Sequence, residues 1–172
     1  MPLGFLSAAL FVLLAKPRPD TLIIGAAVSL LGLGLRAWAS GHIRKNDDLT
    51  TSGPYAHTRN PLYLGSFLLG LGFTIASARW ILALVFAALF LSIYLPVMRV
   101  EASTLAEIFE GNYQDYANRV PLFFPQFARY QDDRNKATHF DAQLYLRYRE
   151  YRAALGLLIA WGLLAFKAYY SK

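Results

Sequence analysis

The polar segment at residues 53–65, GPYAHTRNPLYLG, contains residue types suited to binding a charged ligand and lies between two apolar stretches. Pro61 is expected in the first turn of the following helix, where its missing N–H leaves no bond unmade and the free N–H groups favour an anion. Arg59 stands beside that turn, so the guanidinium and the helix end together can bind a carboxylate or phosphate. Tyr55 and Tyr63 offer ring faces to a flat base or a cation. The segment therefore predicts a ligand site at a membrane boundary.

The same segment also has a purely structural interpretation. In that case Gly53 and Pro54 only shape a turn, Pro61 only begins a helix, and Arg59 with the tyrosines only marks the membrane boundary. Both interpretations stay open on this segment alone.

Glu101 favours the ligand site. It ends an apolar stretch beside Arg99, and an ionisable group next to hydrocarbon is costly and often functional. Its carboxylate can accept hydrogen bonds from ribose hydroxyls or an ammonium group, whereas a salt bridge to a nearby arginine is the structural alternative. Tyr113 and Tyr116, three residues apart, share one face if their segment is helical.

The elements that must position these residues are membrane helices. The chain has 172 residues, 56% of them hydrophobic, which is more apolar side chain than a soluble domain of this size can bury. Four stretches approach the roughly 20 residues that cross a bilayer, at 22–39, 62–77, 80–98 and 153–170. A shorter stretch, 3–15, lacks the basic start of a secretory signal and is kept as a first helix. These patterns predict an all-α, polytopic helix bundle with about five transmembrane helices, in one domain covering 1–172.

The basic residues predict the orientation. A five-helix topology places five of them on one side (Lys16, Arg18, Arg79, Lys167 and Lys172) and twelve on the other (Arg36, Arg44, Lys45, Arg59, Arg99, Arg119, Arg129, Arg134, Lys136, Arg147, Arg149 and Arg152). The positive-inside rule then puts the N-terminus and the polar segments in the cytoplasm. The net charge of +6 suits contact with anionic lipids, and the scattered basic residues argue against nucleic acid. Without cysteine there is no disulfide, thiolate nucleophile or Cys metal site, and no metal site is predicted.

Several features are expected to be structural. Ser66, Gly70 and Thr74 form a small-residue ridge that lets membrane helices approach closely, and Gly32 and Gly34 are packing glycines, not a phosphate loop. A hairpin turn is expected at 77–79, and Gly111–Asn112 is expected to break a helix. Residues 121–125 read as an apolar strip at the bilayer surface. Alternating tyrosines and arginines at 145–152 are typical of an interfacial helix, and residues 126–172 receive no functional role.

Two blocks of the sequence resemble the isoprenylcysteine carboxyl methyltransferase family and its phospholipid methyltransferase relatives. The resemblance covers about 52–125 and rests on these residues in order: Gly53, Pro54, Tyr55, Arg59, Asn60, Pro61, Tyr63, Gly65, Glu101, Gly111, Asn112, Tyr113, Tyr116, Val120, Pro121 and Pro125. Many family members have His where this chain has Asn60, and Ala102 replaces the second of two glutamates. Those departures leave the methyl acceptor open.

The resemblance implies an S-adenosylmethionine-dependent membrane methyltransferase with a lipophilic substrate, either isoprenylcysteine-like or phospholipid amine-like, that enters from the bilayer. It implies a cytosolic cofactor pocket formed by Gly53, Pro54, Tyr55, Asn60, Pro61, Tyr63, Leu64, Glu101, Tyr113 and Tyr116, with Arg59 and Glu101 as the catalytic residues. Arg59 would orient the acceptor, and Glu101 would bind cofactor or substrate. His57 is a weaker candidate for a base. The alternatives are an NADPH-dependent reductase of the sterol reductase type, which has a related block, and a non-enzymatic membrane protein.

Overall fold

The computed structural model describes residues 11–44, 48–131 and 139–170, and all regular structure in these ranges is helical. The elements are α1 (Pro19–Ser40), a 3-10 turn (Gly53–Ala56), α2 (Pro61–Ser77), α3 (Trp80–Arg119), α4 (Ala142–Arg147) and α5 (Tyr151–Tyr170). Residues 11–14 are also helical. They are the end of the predicted first helix, most of which lies outside the described residues.

Three of these helices, α1, α3 and α5, are long and apolar enough to cross a membrane. Helix α2 is apolar but has 17 residues. Large apolar side chains such as Leu31, Leu158 and Phe166 remain exposed, as expected for helices that face lipid. The predicted all-α polytopic bundle is therefore confirmed. Helices α1, α3 and α5 lie at predicted spans, whereas the predicted span at 62–77 is the shorter helix α2.

Helix α3 differs from the prediction, which ended a span at residue 98 and began a separate cytosolic helix. It is one element of 40 residues with a π-helical turn at Phe90–Tyr94. The predicted break is a kink at Glu110, with φ of 39° and ψ of −124°, directly before Gly111. The kink turns Tyr113 and Tyr116 back toward the 3-10 turn, so the bend contributes to the site.

Helices α1 and α2 pack tightly through glycine. A Cβ on Gly32 would lie 2.7 Å from the Gly65 carbonyl oxygen, and Gly25 faces Gly72 in the same way. Gly34 has nothing within 4 Å, so its prediction as a packing glycine was wrong.

The predicted ridge on α2 serves other contacts. Gly70 lies against the Phe86 ring of α3, and the Thr74 hydroxyl donates to the Gly70 carbonyl of its own helix. Ser66 accepts a hydrogen bond from Arg36. The closest backbone approach is made by Gly65 and Gly72, on the face of α2 that meets α1.

The C-terminal segment is not one continuous interfacial helix. Helix α4 ends at Arg147, and α5 begins at Tyr151 after a turn in which Arg149 has φ of 55°. This turn leaves Arg149 exposed and directs Glu150 inward, toward Arg36 of α1. At the far end of α5 the Lys167 ammonium donates to the carbonyls of Val12 and Leu13.

Candidate active site

The loop before α2, at 57–60, and the segment after α3, at 121–126, are distant in the chain but joined by hydrogen bonds. The Arg59 amide donates to the Pro121 carbonyl at 3.0 Å, and the Thr58 hydroxyl donates to the Phe123 carbonyl at 2.8 Å. The Phe123 ring in turn packs on Phe67 and Phe90 of α2 and α3. The segment after α3 therefore holds the loop that carries Arg59 against the ends of the membrane helices.

These segments enclose a cavity of about 460 Å³. Its wall includes eight of the predicted site residues, Tyr55, Arg59, Asn60, Pro61, Tyr63, Glu101, Tyr113 and Tyr116. Arg59 and Glu101 thus lie in the wall of one cavity, as the predicted cofactor pocket requires. Their chemical roles stay predictions.

Three predicted cofactor residues, Gly53, Pro54 and Leu64, do not line this cavity. Gly53 has φ of 61°, and a Cβ there would lie 2.5 Å from the His42 ring, so this glycine is required by the backbone and by His42. Pro54 and Leu64 are buried. These positions support the wall, and contact of the three residues with a cofactor stays a prediction.

The Arg59 side chain lies between the two blocks and is half-buried. Its Nη1 donates to the Tyr113 hydroxyl at 3.2 Å, and its guanidinium carbon is 5.9 Å from the centre of the same ring. Its Nε is buried and has no hydrogen-bond partner among the described residues. A buried donor of this kind usually has a partner, which makes Nε a candidate for a hydrogen bond to a bound ligand.

Glu101 of α3 also lies in the cavity wall. Its carboxylate accepts a hydrogen bond from the Tyr63 hydroxyl at 3.1 Å, and the Tyr63 ring packs edge-on against Tyr94 in the π-helical turn. Within the described ranges the ion pairs are Arg18–Asp20 and Arg36–Glu150. The alternative of a Glu101 salt bridge to Arg99 or Arg59 is therefore wrong for the structure as described.

Tyr55 lines the cavity and has a buried hydroxyl. The residue is 7% exposed, and in the part of the chain that the structure describes its hydroxyl has no hydrogen-bond partner. Burial raises the pKa of this phenol well above its usual value, so it stays protonated and offers a donor. The Tyr116 hydroxyl donates to the Tyr55 carbonyl at 2.7 Å and fixes the backbone of the turn.

Asn60 and His57 contact backbone carbonyls of the segment after α3. The Asn60 side-chain amide donates to the Leu122 carbonyl at 2.9 Å, and His57 Nδ1 lies 2.9 Å from the Gln126 carbonyl oxygen. Both contacts hold the loop on the segment after α3. Pro61 follows Asn60 at the start of α2, as its helix-starting chemistry predicts.

The sequence interpretation missed Arg36, Arg44 and Asp48 in the cavity wall. Arg36 carried a usable signal, because it is an ionisable residue inside an otherwise apolar predicted span. Arg44 and Asp48 lie in the loop after α1, where sequence pattern gives no indication of proximity to the cavity.

Comparison with known proteins identifies the family. The model of the phospholipid methyltransferase family matches residues 22–112. This match begins one helix before the predicted resemblance, so α1 belongs to the family-like region, and it ends soon after the kink in α3. No solved structure matches the chain.

Three curated relatives are similar in sequence. The cobalt-zinc-cadmium resistance protein CzcN of Cupriavidus metallidurans is 37% identical over 65% of this chain and 52% of its own length. The nickel-cobalt-cadmium resistance protein NccN of Alcaligenes xylosoxydans xylosoxydans is 35% identical over 70% of this chain and 60% of its own length. The protein-S-isoprenylcysteine O-methyltransferase of Schizosaccharomyces pombe is 29% identical over 48% of this chain and 36% of its own length.

The chain thus spans roughly half to 60% of the two metal-resistance relatives. Across the described ranges, no three His, Cys, Asp or Glu side chains group as a metal site. The family match covers more than half of the chain and includes the helices and loop that form the cavity. The chain belongs to the phospholipid methyltransferase family and is an integral membrane protein.

Proposed function

We propose that this protein is an S-adenosylmethionine-dependent methyltransferase that acts on a lipophilic substrate at the cytosolic face of the membrane. The observation that carries the proposal is the cavity whose wall contains both Arg59 and Glu101, at the ends of membrane helices. Family membership supplies the reaction class, and the positive-inside bias supplies the orientation.

The residues in the wall fit this cofactor. Its carboxylate suits the Arg59 guanidinium, its ammonium and ribose hydroxyls suit the Glu101 carboxylate, and its adenine suits the aromatic rings. The cavity volume of about 460 Å³ lies within the ~300–1,000 Å³ typical of small-molecule sites. The unpartnered Tyr55 hydroxyl adds a donor that a polar ligand would satisfy.

When bound, S-adenosylmethionine supplies an electrophilic methyl group that is transferred to a nucleophilic acceptor atom, and S-adenosylhomocysteine is the second product. The protein's part is to align the reactants and exclude water, and alignment alone can supply several kcal/mol. Arg59 is placed to orient an anionic acceptor or cofactor carboxylate. The Tyr63 hydroxyl holds the Glu101 carboxylate in the wall, where it accepts hydrogen bonds and does not act as a nucleophile.

The acceptor is proposed to be lipophilic, because part of the cavity lining is apolar. Leu105, Ile108 and Phe109 of α3 contribute to this part of the lining. A prenylated cysteine carboxylate, a phospholipid amine and a small lipophilic thiol each fit this description. Incubation of membranes with labelled methyl donor, followed by identification of the labelled product, selects among them.

Calorimetry on detergent-solubilised protein, with S-adenosylhomocysteine and NADPH in parallel, tests the proposal. Binding of S-adenosylhomocysteine supports a methyltransferase, and binding of NADPH alone supports the reductase. Binding of neither ligand indicates a non-enzymatic membrane protein, and either of the last two results would overturn the proposal.

Two substitutions test the site assignment. Arg59→Ala and Glu101→Gln are each expected to reduce methylation at least 100-fold, because each removes a charged group that positions the reactants. Glu107→Gln is the matched control, since Glu107 is exposed and does not line the cavity. Unfolding temperatures in detergent show whether the variants stay folded, and full activity of both folded variants would remove the assignment.

A further inference from the structure

The C-terminal segment reaches the cavity through one partly buried ion pair. Glu150, in the turn before α5, accepts two hydrogen bonds from Arg36, from Nη2 at 2.8 Å and from Nε at 3.0 Å. The two side chains are 21% and 12% exposed for Arg36 and Glu150. This parallel pairing is the geometry that orients a guanidinium most firmly. Glu150 lies outside the family-matched region, whereas Arg36 lies in the cavity wall.

Arg36 uses its remaining nitrogen on the first turns of α2. Its Nη1 donates to the Leu62 carbonyl at 3.3 Å and to the Ser66 hydroxyl. The Ser66 hydroxyl also donates to the Leu62 carbonyl at 3.0 Å. Leu62 and its neighbour Tyr63 both line the cavity, and Tyr63 holds Glu101. One guanidinium therefore links Glu150 to the part of α2 that forms the wall.

Gly65 leaves room for the Arg36 side chain to cross α2. A Cβ on Gly65 would lie 2.5 Å from Arg36 Cγ, so the stem of Arg36 crosses α2 over a position without a side chain. The arginine could not reach both Leu62 and Glu150 over a larger residue without a shift of α1 or α2.

We infer that Glu150 is a positioning residue that completes the candidate site by holding Arg36 across the start of α2. The effect on ligand binding rests on the proposed function. The effect on the position of α2 does not. The ion pair holds Leu62 and Tyr63 in the wall and holds the Arg36 guanidinium on the start of α2. The last helix is thereby coupled to ligand binding.

Glu150→Gln tests the inference in two measurements on the full chain in detergent. Hydrogen exchange of the amides at 60–66 in ligand-free protein is expected to accelerate at least 10-fold. The dissociation constant of S-adenosylhomocysteine is expected to rise about 10- to 100-fold, since small misplacements at a site have effects of that size. Glu107→Gln is the control for the loss of one carboxylate and should change neither quantity.

A double variant with the two charges exchanged tests whether the ion pair positions α2 or only joins α1 to the C-terminal turn. Arg36→Glu with Glu150→Arg restores opposite charges between α1 and the C-terminal turn, but a glutamate at position 36 cannot donate to the Leu62 carbonyl. The exchanged protein is expected to regain thermal stability relative to Glu150→Gln while exchange at 60–66 stays fast and ligand affinity stays low. Recovery of all three properties would show that the pair only joins helices and would overturn the inference.

The two proposals fail in distinguishable ways. If the unmodified protein binds no S-adenosylhomocysteine, the proposed function fails, and hydrogen exchange at 60–66 alone decides whether Glu150 positions α2. If the unmodified protein binds the ligand and Glu150→Gln matches it in both affinity and exchange, the inference fails and the proposed function stands.

Discussion

At the scale of single residues, two unpartnered polar atoms in the cavity wall have the clearest consequences. The Tyr55 hydroxyl and Arg59 Nε are buried without hydrogen-bond partners among the described residues. An unsatisfied buried polar group costs about 1–3 kcal/mol, and folding alone gives no reason to retain it. A bound ligand that accepts from these donors would explain why they are buried there.

Tyr55→Phe therefore should have opposite effects on folding and on binding. Removal of the hydroxyl leaves ligand-free stability unchanged or raises it by up to about 1 kcal/mol, because no hydrogen bond in the described structure is lost. The affinity for S-adenosylhomocysteine should fall roughly 2- to 10-fold, the value of one net hydrogen bond. Thermal unfolding in detergent and calorimetry measure the two effects.

Tyr116→Phe is the matched comparison for stability. Its hydroxyl is bonded to the Tyr55 carbonyl, so this variant should lose about 1–3 kcal/mol in the ligand-free protein. Unchanged ligand affinity in a well-folded Tyr55→Phe protein would show that the hydroxyl does not meet the ligand.

At the scale of helices, two glycines on α1 allow a controlled test of packing. Gly32→Ala places a Cβ 2.7 Å from the Gly65 carbonyl oxygen and 2.8 Å from the Leu69 amide nitrogen, so α1 and α2 must separate. We expect a loss of about 1–3 kcal/mol of unfolding free energy, the usual effect of overpacking. Gly34→Ala has no atom to meet within 4 Å and should be neutral or stabilise by up to about 1 kcal/mol through helix propensity. Unfolding temperatures in one detergent compare the two, and equal temperatures would contradict the close α1–α2 contact.

The sequence predicts helix positions better than it predicts which face of a helix does what. Apolar runs locate α1, α2, α3 and α5, and Pro61 begins α2 as expected, because hydrophobicity and backbone chemistry act locally. The assignment of Gly34 failed, whereas Gly70 of the predicted ridge packs closely on Phe86 of α3 and Ser66 meets Arg36 of α1. Small residues at helical spacing can face lipid, a third helix or a charged side chain. Only the tertiary arrangement decides among these.

At the site, too, some residues could be predicted from the sequence and others could not. Family likeness and charge near hydrocarbon indicated Arg59 and Glu101, which line one cavity. Arg36 was counted only for membrane orientation, and its role depends on Glu150, which is 114 residues away in sequence. No local pattern joins such distant positions, so pairing across the bundle could not be predicted from one sequence.

At the scale of the whole molecule, the cavity and the α2–α3 turn lie at opposite ends of the membrane helices. The turn has Ala78 in a left-handed conformation with φ of 50°, and this residue is exposed. Asn118, near the end of α3 that bears the cavity, is also exposed. The absence of cysteine from the chain makes single-cysteine labelling at these two positions specific.

The orientation prediction follows from the excess of basic residues on the cavity side, which the positive-inside rule places in the cytoplasm. In vesicles of known orientation, a membrane-impermeant maleimide added from the non-cytoplasmic side should label Ala78→Cys. It should label Asn118→Cys only after the membrane is permeabilised. Labelling of both variants after permeabilisation is the control for reactivity. Labelling of Asn118→Cys alone from the non-cytoplasmic side would show the inverted topology. The cavity would then lie on the side away from cytosolic S-adenosylmethionine. That result would remove the proposed cofactor but leave the helices and their packing as described.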